Sequence, residues 1–255
     1  MASQELAVKQ NGHAVAVITE PEEITELNVS KFRAPGLQTV VPEDLVLPRK
    51  RLVQPTSSFS QEAGKIHDNI DEIAVPSITV IPLDYRAGQI LWPEKYSKES
   101  EPRCASDDGV TPRPNMEFPG PCATCPMSKW RYNEDTGAED LPPECGNTFN
   151  FKVMDPSDGI PALISFKGKS ASAGNKLRTF MVKNGYRYAV KISTVFHDDS
   201  KGKYYTLLAS RAQELTPAEQ VYYARQAIRY SKVKITSDTE AVEATEQTED
   251  KGLPF

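Results

Sequence analysis

The stretch YRYAVKISTVFHDDSKGKYYTLLASRA, residues 186–212, decides the fold class because it has the pattern of a β-hairpin. Apolar side chains fall on one face of its first half, at Tyr186, Tyr188, Val190, Ile192 and Phe196. HDDSKGK has the composition of a turn, and YYTLLASRA is rich in residues that favour a returning strand. The stretch therefore predicts two antiparallel strands in the C-terminal half of the chain.

The segments on both sides extend this hairpin into a small β-rich domain. Residues 73–92 predict a strand or bent strand pair, and residues 147–155 and 160–169 predict two more strands separated by the turn DPSDG. A short helix ending at Gly185 is predicted before the hairpin. The sequence LTPAEQVYYARQAIRYSK predicts a C-terminal helix, with a capping box formed by Thr216 and Glu219.

The order of these elements resembles that of an oligonucleotide-binding (OB) barrel, with five strands and a helix between the third and fourth. The prediction is a mainly β protein with α: an OB-fold-like five-stranded barrel with a four-cysteine zinc insertion, a C-terminal helix and disordered acidic tails. Residues 1–46 and 236–255 would be disordered, and residues 47–235 would form the barrel with an insertion at 100–147. No apolar run is long enough to span a membrane and no secretory signal is present, which predicts the cytoplasm, or a host's cytoplasm if the protein is viral.

All four cysteines lie inside the proposed insertion, with the spacing C-x17-C-x2-C-x19-C. The C-x-x-C pair Cys122 and Cys125 can place two thiolates on one metal ion, and Cys104 and Cys145 can complete a tetrahedral sulfur set. Because the flanking residues are largely prolines and glycines, the segment has few apolar side chains for a core, and a metal ion or disulfides are expected to stabilise it. The prediction is one structural Zn²⁺ per chain. Two disulfides, or a redox C-x-x-C, stay open as alternatives.

Charge is distributed unevenly, although the whole chain carries a net charge of −5. Residues 236–255 carry −5 and residues 1–46 carry −4, whereas residues 151–235 hold fifteen basic and six acidic side chains. A basic centre between acidic ends favours binding of a polyanion to the centre. An unevenly charged but merely solvated surface is the alternative.

Aromatic and basic side chains alternate within the predicted barrel and its insertion, as single-strand binding requires. Some of the strand aromatics are expected to fill the core instead. The candidate DNA-binding residues are Lys129, Trp130, Arg131, Phe151, Lys152, Lys167, Lys169, Arg187, Tyr188, Lys191, Tyr204 and Arg211.

Enzyme motifs are incomplete or missing. FKGKS (166–170) lies between a strand and a helix, but Leu163 occupies the position where a phosphate-binding loop requires glycine. Hydrolase and metalloprotease signatures are absent from the sequence, which predicts a protein that is not an enzyme.

The chain ends in EDKGLPF, residues 249–255, after an acidic run. This ending resembles the C-terminal tip of bacterial single-stranded-DNA-binding proteins, although Lys251 and Gly252 depart from the acidic run of that family. The resemblance implies that Leu253, Pro254 and Phe255 dock replication, repair or recombination enzymes. A second resemblance is to phage single-stranded-DNA-binding proteins that insert a zinc module into the barrel, with a histidine and three cysteines where this chain offers four cysteines.

Together these observations predict a phage- or plasmid-borne single-stranded-DNA-binding protein that coats replication or recombination intermediates and recruits enzymes through its tail. A recombination mediator or strand-annealing protein is the nearest alternative. A zinc-ribbon transcription regulator, which would prefer duplex DNA, is the alternative from a different class. The sequence leaves oligomerisation open.

Overall fold

The computed structural model of the chain describes residues 41–42, 45–55, 57, 60–93, 101–157, 159–200 and 202–238. Within them, a curled nine-stranded sheet and two helices form the body of the protein. The elements in chain order are β1 (Arg49–Leu52), β2 (Ile66–Asp68), β3 (Ala74–Val75), β4 (Ser77–Leu91), β5 (Cys104–Ser106), β6 (Arg131–Asn133), β7 (Ala138–Leu141), β8 (Gly146–Met154), β9 (Pro161–Phe166), α1 (Ala171–Asn184), β10 (Tyr188–Asp199), β11 (Gly202–Glu214) and α2 (Pro217–Arg229).

The strand order of the large sheet is β11-β10-β4-β8-β9-β1-β2-β3, with β5 paired to the end of β4. All pairs are antiparallel except β1 with β9. β4 pairs with β10 along its first residues and with β8 along the rest, and the register shifts between Pro82 and Asp84. A bulge of this kind bends a strand and strengthens its twist, which curls the sheet. β6 and β7 form a separate two-stranded hairpin.

The two ends of the curled sheet approach each other. The Gln54 side chain, just after β1, makes two hydrogen bonds of 2.9 Å with the main chain of Tyr205 in β11. Thr194 Oγ1 donates to the carbonyl of Gly64 at 2.6 Å. Gly64 has a φ of 83°, and a Cβ there would lie 2.4 Å from the Tyr205 ring. The result is a half-barrel, compatible with an OB-like fold.

The main core lies between the concave face of the sheet and α1. Phe151, Val153 and Phe166 are fully buried there with Leu177 of α1. α1 packs closely because Gly174 faces the strands: a Cβ at this position would lie 2.7 Å from the Cβ atoms of Phe149 and Phe166. The alternation of side chains along β8 sends the odd-numbered residues 149–153 into this core.

The convex face of the sheet is covered by α2 and by the segment after it, residues 230–238, which we call the C-terminal strap. Tyr223 of α2 packs on Ile81, Leu83 and Met154. The strap places Val233 and Ile235 against Leu47 and Leu163 and then runs across β8 and β9. The sequence assigned residues 236–238 to the disordered tail, yet Ser237 and Asp238 are buried.

The predicted elements are found, with corrections to their length and number. The hairpin strands β10 and β11 extend into HDDSKGK, and the turn is confined to their junction. Thr216 and Glu219 form the capping box, and Gly185 follows α1 with a φ of 53°. The strand or bent strand pair predicted at 73–92 corresponds to β3 and β4. The short strands β1 and β2 and those of the insertion were not predicted, because strands of three or four residues carry little periodic signal. Neither helix of the described residues is long and apolar enough to cross a membrane.

Candidate nucleic-acid interface and cysteine cluster

The four cysteines come from three separate places in the fold. Cys104 begins β5 and pairs with Leu91 of β4. Cys122 begins the first of two successive 3-10 turns and Cys125 lies between them, and Ser128 Oγ donates to the carbonyl oxygens of both, at 2.6 and 2.8 Å. Cys145 precedes β8, and its N–H donates to the carbonyl of Met127 at 2.9 Å. The insertion therefore folds back on itself and brings the cysteines to the end of β4.

The thiols lie close enough to influence one another. Burial raises the pKa of Cys145 to about 12, with further contributions from Cys104, Cys122 and Cys125. Burial also raises the pKa of Cys104, again helped by Cys122 and Cys125. All four are free thiols rather than disulfides. Among the described residues, however, no three Cys, His, Asp or Glu side chains stand in the arrangement of a metal site. Structural Zn²⁺ sites in proteins use four ligands such as cysteine sulfurs and leave no open coordination position.

Two groups of contacting aromatic and basic side chains occur along the β10–β11 hairpin. At its base, the guanidinium groups of Arg187 and Arg211 lie 5.2 and 5.1 Å from the centre of the Tyr188 ring. Nearer its tip, Lys169 Nζ lies 5.4 Å from the centre of the Tyr204 ring. Cations over aromatic rings supply both a phosphate partner and a stacking face.

These rings and cations have other contacts as well. Tyr188 packs against Phe180 of α1, with ring centres 6.1 Å apart, and Arg187 pairs with Glu214 at 2.8 Å. Tyr204 stacks on His197 at 4.9 Å and donates to Asp199. Lys191 is exposed on the opposite face of β10 from Val190 and Ile192. Five of the predicted DNA-binding residues thus lie at or beside the hairpin and reach the surface: Arg187, Lys191 and Arg211 are exposed, and Tyr188 and Tyr204 are half-buried.

The β6–β7 hairpin of the insertion presents a second aromatic surface. Trp130 is 59% exposed, and Lys129 beside it is exposed. Tyr132, which the sequence analysis did not select, is 61% exposed. Arg131 pairs with Glu144 at 2.7 Å. Most of the Trp130 indole therefore faces solvent rather than packing over the cysteines.

Phe151 and Lys152 are fully buried, which separates them from the other candidates. Phe151 is core, with its ring stacked on Tyr85 and edge-on to Phe166. Lys152 Nζ donates to the carbonyl of Tyr230 in the strap at 2.6 Å and lies 3.7 Å from Asp84. Burial lowers the pKa of Lys152, and Asp84 opposes that shift. A nucleic acid on the surface of this structure cannot reach either side chain.

Lys167 lies in a basic cluster that the sequence analysis did not anticipate. Lys167 and Arg51 pair with the buried carboxylate of Asp238, and Arg49 and Arg113 line the cavity beside it. The run PRKR at 48–51 is visible in the sequence, but the sequence does not show where it lies on the sheet.

The predicted partner-binding residues Leu253, Pro254 and Phe255 lie outside the described residues.

The fold and these surfaces define a mainly β half-barrel protein with a cysteine-rich insertion between two neighbouring strands and a strap across its convex face. A family model described as Pam3 phage gp34-like protein matches residues 23–236. The chain therefore belongs to the Pam3 phage gp34-like family, a family of phage proteins. No curated protein and no solved structure matches the chain significantly.

Proposed function

We propose that this phage protein binds single-stranded DNA on its β10–β11 hairpin and its cysteine-rich insertion. The observation that carries the proposal is the set of surface rings with cations beside them: Tyr188 with Arg187 and Arg211, Tyr204 with Lys169, and exposed Trp130 next to Lys129. Rings stack on bases without regard to sequence, and cations hold the backbone.

The strand order supports the same proposal. If β4, β8, β9, β10 and β11 are strands one to five of an OB-like barrel, the sheet order is five-four-one-two-three and α1 lies between strands three and four. OB folds bind oligonucleotides on the face of strands two and three and on the loops after strands one and four. Here those loops are the cysteine-rich insertion and the tip of the β10–β11 hairpin, which carry Trp130 and Tyr204.

A structural Zn²⁺ held by Cys104, Cys122, Cys125 and Cys145 is part of this proposal. The burial of Cys104, Cys122 and Cys145, and the influence of the neighbouring thiols on the pKa values of Cys104 and Cys145, support it. Coordination to Zn²⁺ would deprotonate the thiols, although burial alone raises their pKa. The metal would hold the insertion in place beside the sheet, and it would leave the DNA contacts to the protein side chains.

The test is a fluorescence-anisotropy titration of oligo(dT), an equivalent duplex and an RNA strand at low and high salt. Single-stranded DNA should bind more tightly than duplex, and affinity should fall steeply with salt as counterions are released. Trp130→Ala and Tyr188→Ala should each cost about 1–3 kcal/mol of binding free energy. Tyr222→Ala, an exposed tyrosine on α2, is the matched control and should change nothing. Tight binding that is specific for duplex DNA would overturn the proposal and favour a transcription regulator.

A further inference from the structure

The C-terminal strap ends in a buried carboxylate surrounded by cations. Asp238 Oδ2 lies 3.2 Å from Lys167 Nζ, and its Oδ1 lies 3.4 Å from Arg51 Nη2. The side chain of Asp238 is 8% exposed. Burial acts to raise the pKa of Asp238, but the charges of Lys167, Arg51 and Arg49 outweigh it and the pKa lies below the ordinary value. The carboxylate is therefore a bound anion within the fold.

The same cations also hold the main-chain oxygens of the strap. Arg49 Nη2 donates to the carbonyl of Thr236 at 3.1 Å, and Arg113 Nη2 donates to that of Ser237 at 2.9 Å. Lys167 Nζ contacts the carbonyl of Asp238 at 3.3 Å. Basic groups from β1, the cysteine-rich insertion and the end of β9 thus converge on consecutive oxygens of one extended segment.

An open cavity of about 330 Å³ adjoins this cluster. Arg49, Arg51, Arg113, Asp107 and residues 236–238 line it. Asp107 pairs with Arg113 at 2.7 Å and accepts from the N–H of Ser237 at 2.6 Å. Three cations and two carboxylates therefore line the cavity, and Lys167 joins them through its ion pair with Asp238, the carboxylate that the strap contributes. Without Asp238 these cations would lose one of their anionic partners in a partly buried site, a state that favours binding of another anion.

We propose that Arg49, Arg51, Arg113 and Lys167 form a phosphate-binding site that the Asp238 carboxylate fills when no nucleic acid is bound. Guanidinium groups bind carboxylate and phosphate oxygens with the same planar geometry, so the two anions compete for one set of donors. The assignment of the phosphate to a nucleic-acid backbone rests on the proposed function. Only the end of the strap has to move, because Val233 and Ile235 remain anchored in their apolar contacts.

The experiment uses the full chain with Asp238→Ala, which removes the carboxylate and leaves room for an ion. Glu139→Ala is the charge-matched control, since Glu139 is exposed in β7. Thermal melting and calorimetric titration are followed with inorganic phosphate against chloride at equal ionic strength. Phosphate should bind Asp238→Ala about tenfold more tightly than wild type, the equivalent of one charge-assisted hydrogen bond. It should raise the melting temperature of this variant alone.

A second substitution assigns the site. Adding Arg51→Gln to Asp238→Ala should abolish the gain in phosphate binding. A gain of equal size in Glu139→Ala, or one that survives Arg51→Gln, would overturn the site, because either result means a general effect of charge. If Asp238→Ala folds only when phosphate is present, this phosphate-dependent folding is itself an expected result. Phosphate binding is then measured with the isosteric Asp238→Asn. If phosphate stabilises neither variant, the proposal is overturned.

Oligo(dT) separates this inference from the proposed function. Asp238→Ala should bind oligo(dT) about tenfold more tightly than wild type, by the same exchange of anions. If phosphate rescues the variant but no form of the protein binds oligo(dT), the phosphate site stands and the nucleic-acid function is wrong. If every form binds oligo(dT) equally and phosphate rescues none of them, the function stands and the site is wrong.

Discussion

Gly88 is the point at which the strap comes closest to the sheet. A Cβ at this position would lie 2.3 Å from Ser237 Oγ, 2.6 Å from the carbonyl of Ser106 and 2.8 Å from Thr148 Oγ1. Ser237 Oγ donates to that carbonyl and accepts from Asn150, so one small side chain links the strap to two strands. The missing Cβ of Gly88 is what allows this contact to form.

Gly88→Ala should loosen the end of the strap without changing any charge. Overpacking of a well-filled site costs about 1–3 kcal/mol of unfolding free energy. Urea denaturation should show that loss, and hydrogen exchange should show faster exchange of the Ser237 N–H, which Asp107 protects in the wild type. Gly146→Ala is the matched control in the neighbouring strand, since its added Cβ would meet the carbonyl of Ile90 only at 3.7 Å. Equal effects of the two substitutions would mean that the strap does not depend on Gly88.

The cysteine-rich insertion is the element with the least support from regular structure. Its hairpin β6–β7 is separate from the large sheet, and its other parts are short turns and β5. The apolar contacts of Cys104 and Cys145 with Leu91, Met116, Phe118 and Met127 are its main packing. So small an apolar cluster contributes little to stability, and segments of this kind usually require a metal ion or a disulfide.

Purified protein should carry one zinc per chain, and Cys122→Ser should lose it. Because metal binding and folding of such a segment are coupled, the variant should become sensitive to proteolysis between residues 101 and 145. The far-ultraviolet circular dichroism of the large sheet should persist. Ala123→Ser, an exposed neighbour, introduces the same hydroxyl without removing a thiol and should behave as wild type. If protein purified under reducing conditions does not contain stoichiometric metal, the zinc site is ruled out.

The whole molecule separates its charges. The basic residues of 151–235 lie on the folded body, and the acidic residues after Asp238 extend the chain beyond the strap. A tethered acidic segment has a high effective concentration near the body. The strap fixes where that segment begins, directly beside Arg51 and Lys167. If the protein binds nucleic acid as proposed, the basic charge that attracts it and the acidic charge that competes with it meet at this place.

The tip Leu253-Pro254-Phe255 should act separately from this charge balance. Deleting Phe255 leaves the number of charged side chains unchanged and removes one aromatic anchor, so DNA affinity should stay the same while capture of replication or repair proteins from host extract is lost. A chain with one serine added after Phe255 keeps the ring and displaces the terminal carboxylate, and it should be impaired in the same way. Identical captured proteins for all three baits would show that the Leu-Pro-Phe ending has no docking role.

Elements whose signals are local could be predicted from the sequence. The alternation in 186–212, the capping box at Thr216 and the glycine after α1 each act within a few residues, and all three appear in the structure. The cysteine spacing predicts a metal site, and this stays a prediction, because no three Cys, His, Asp or Glu side chains of the described residues stand in the arrangement of such a site. The acidic ends and the basic centre of the chain could also be predicted, because the charge of a segment follows from its composition and is independent of the fold.

Which face of each strand is covered depends on contacts between segments that are distant in the sequence. Lys152 has the sequence context of a DNA contact, but the strap buries it through the carbonyl of Tyr230, 78 residues later in the chain. Arg49 meets Thr236 across a separation of 187 residues, so no local pattern could join PRKR to the C-terminal end. Contacts of this kind depend on the curl of the sheet and on the path of the chain after α2. Their energies come from burial and charge pairing that exist only once distant segments have been brought together.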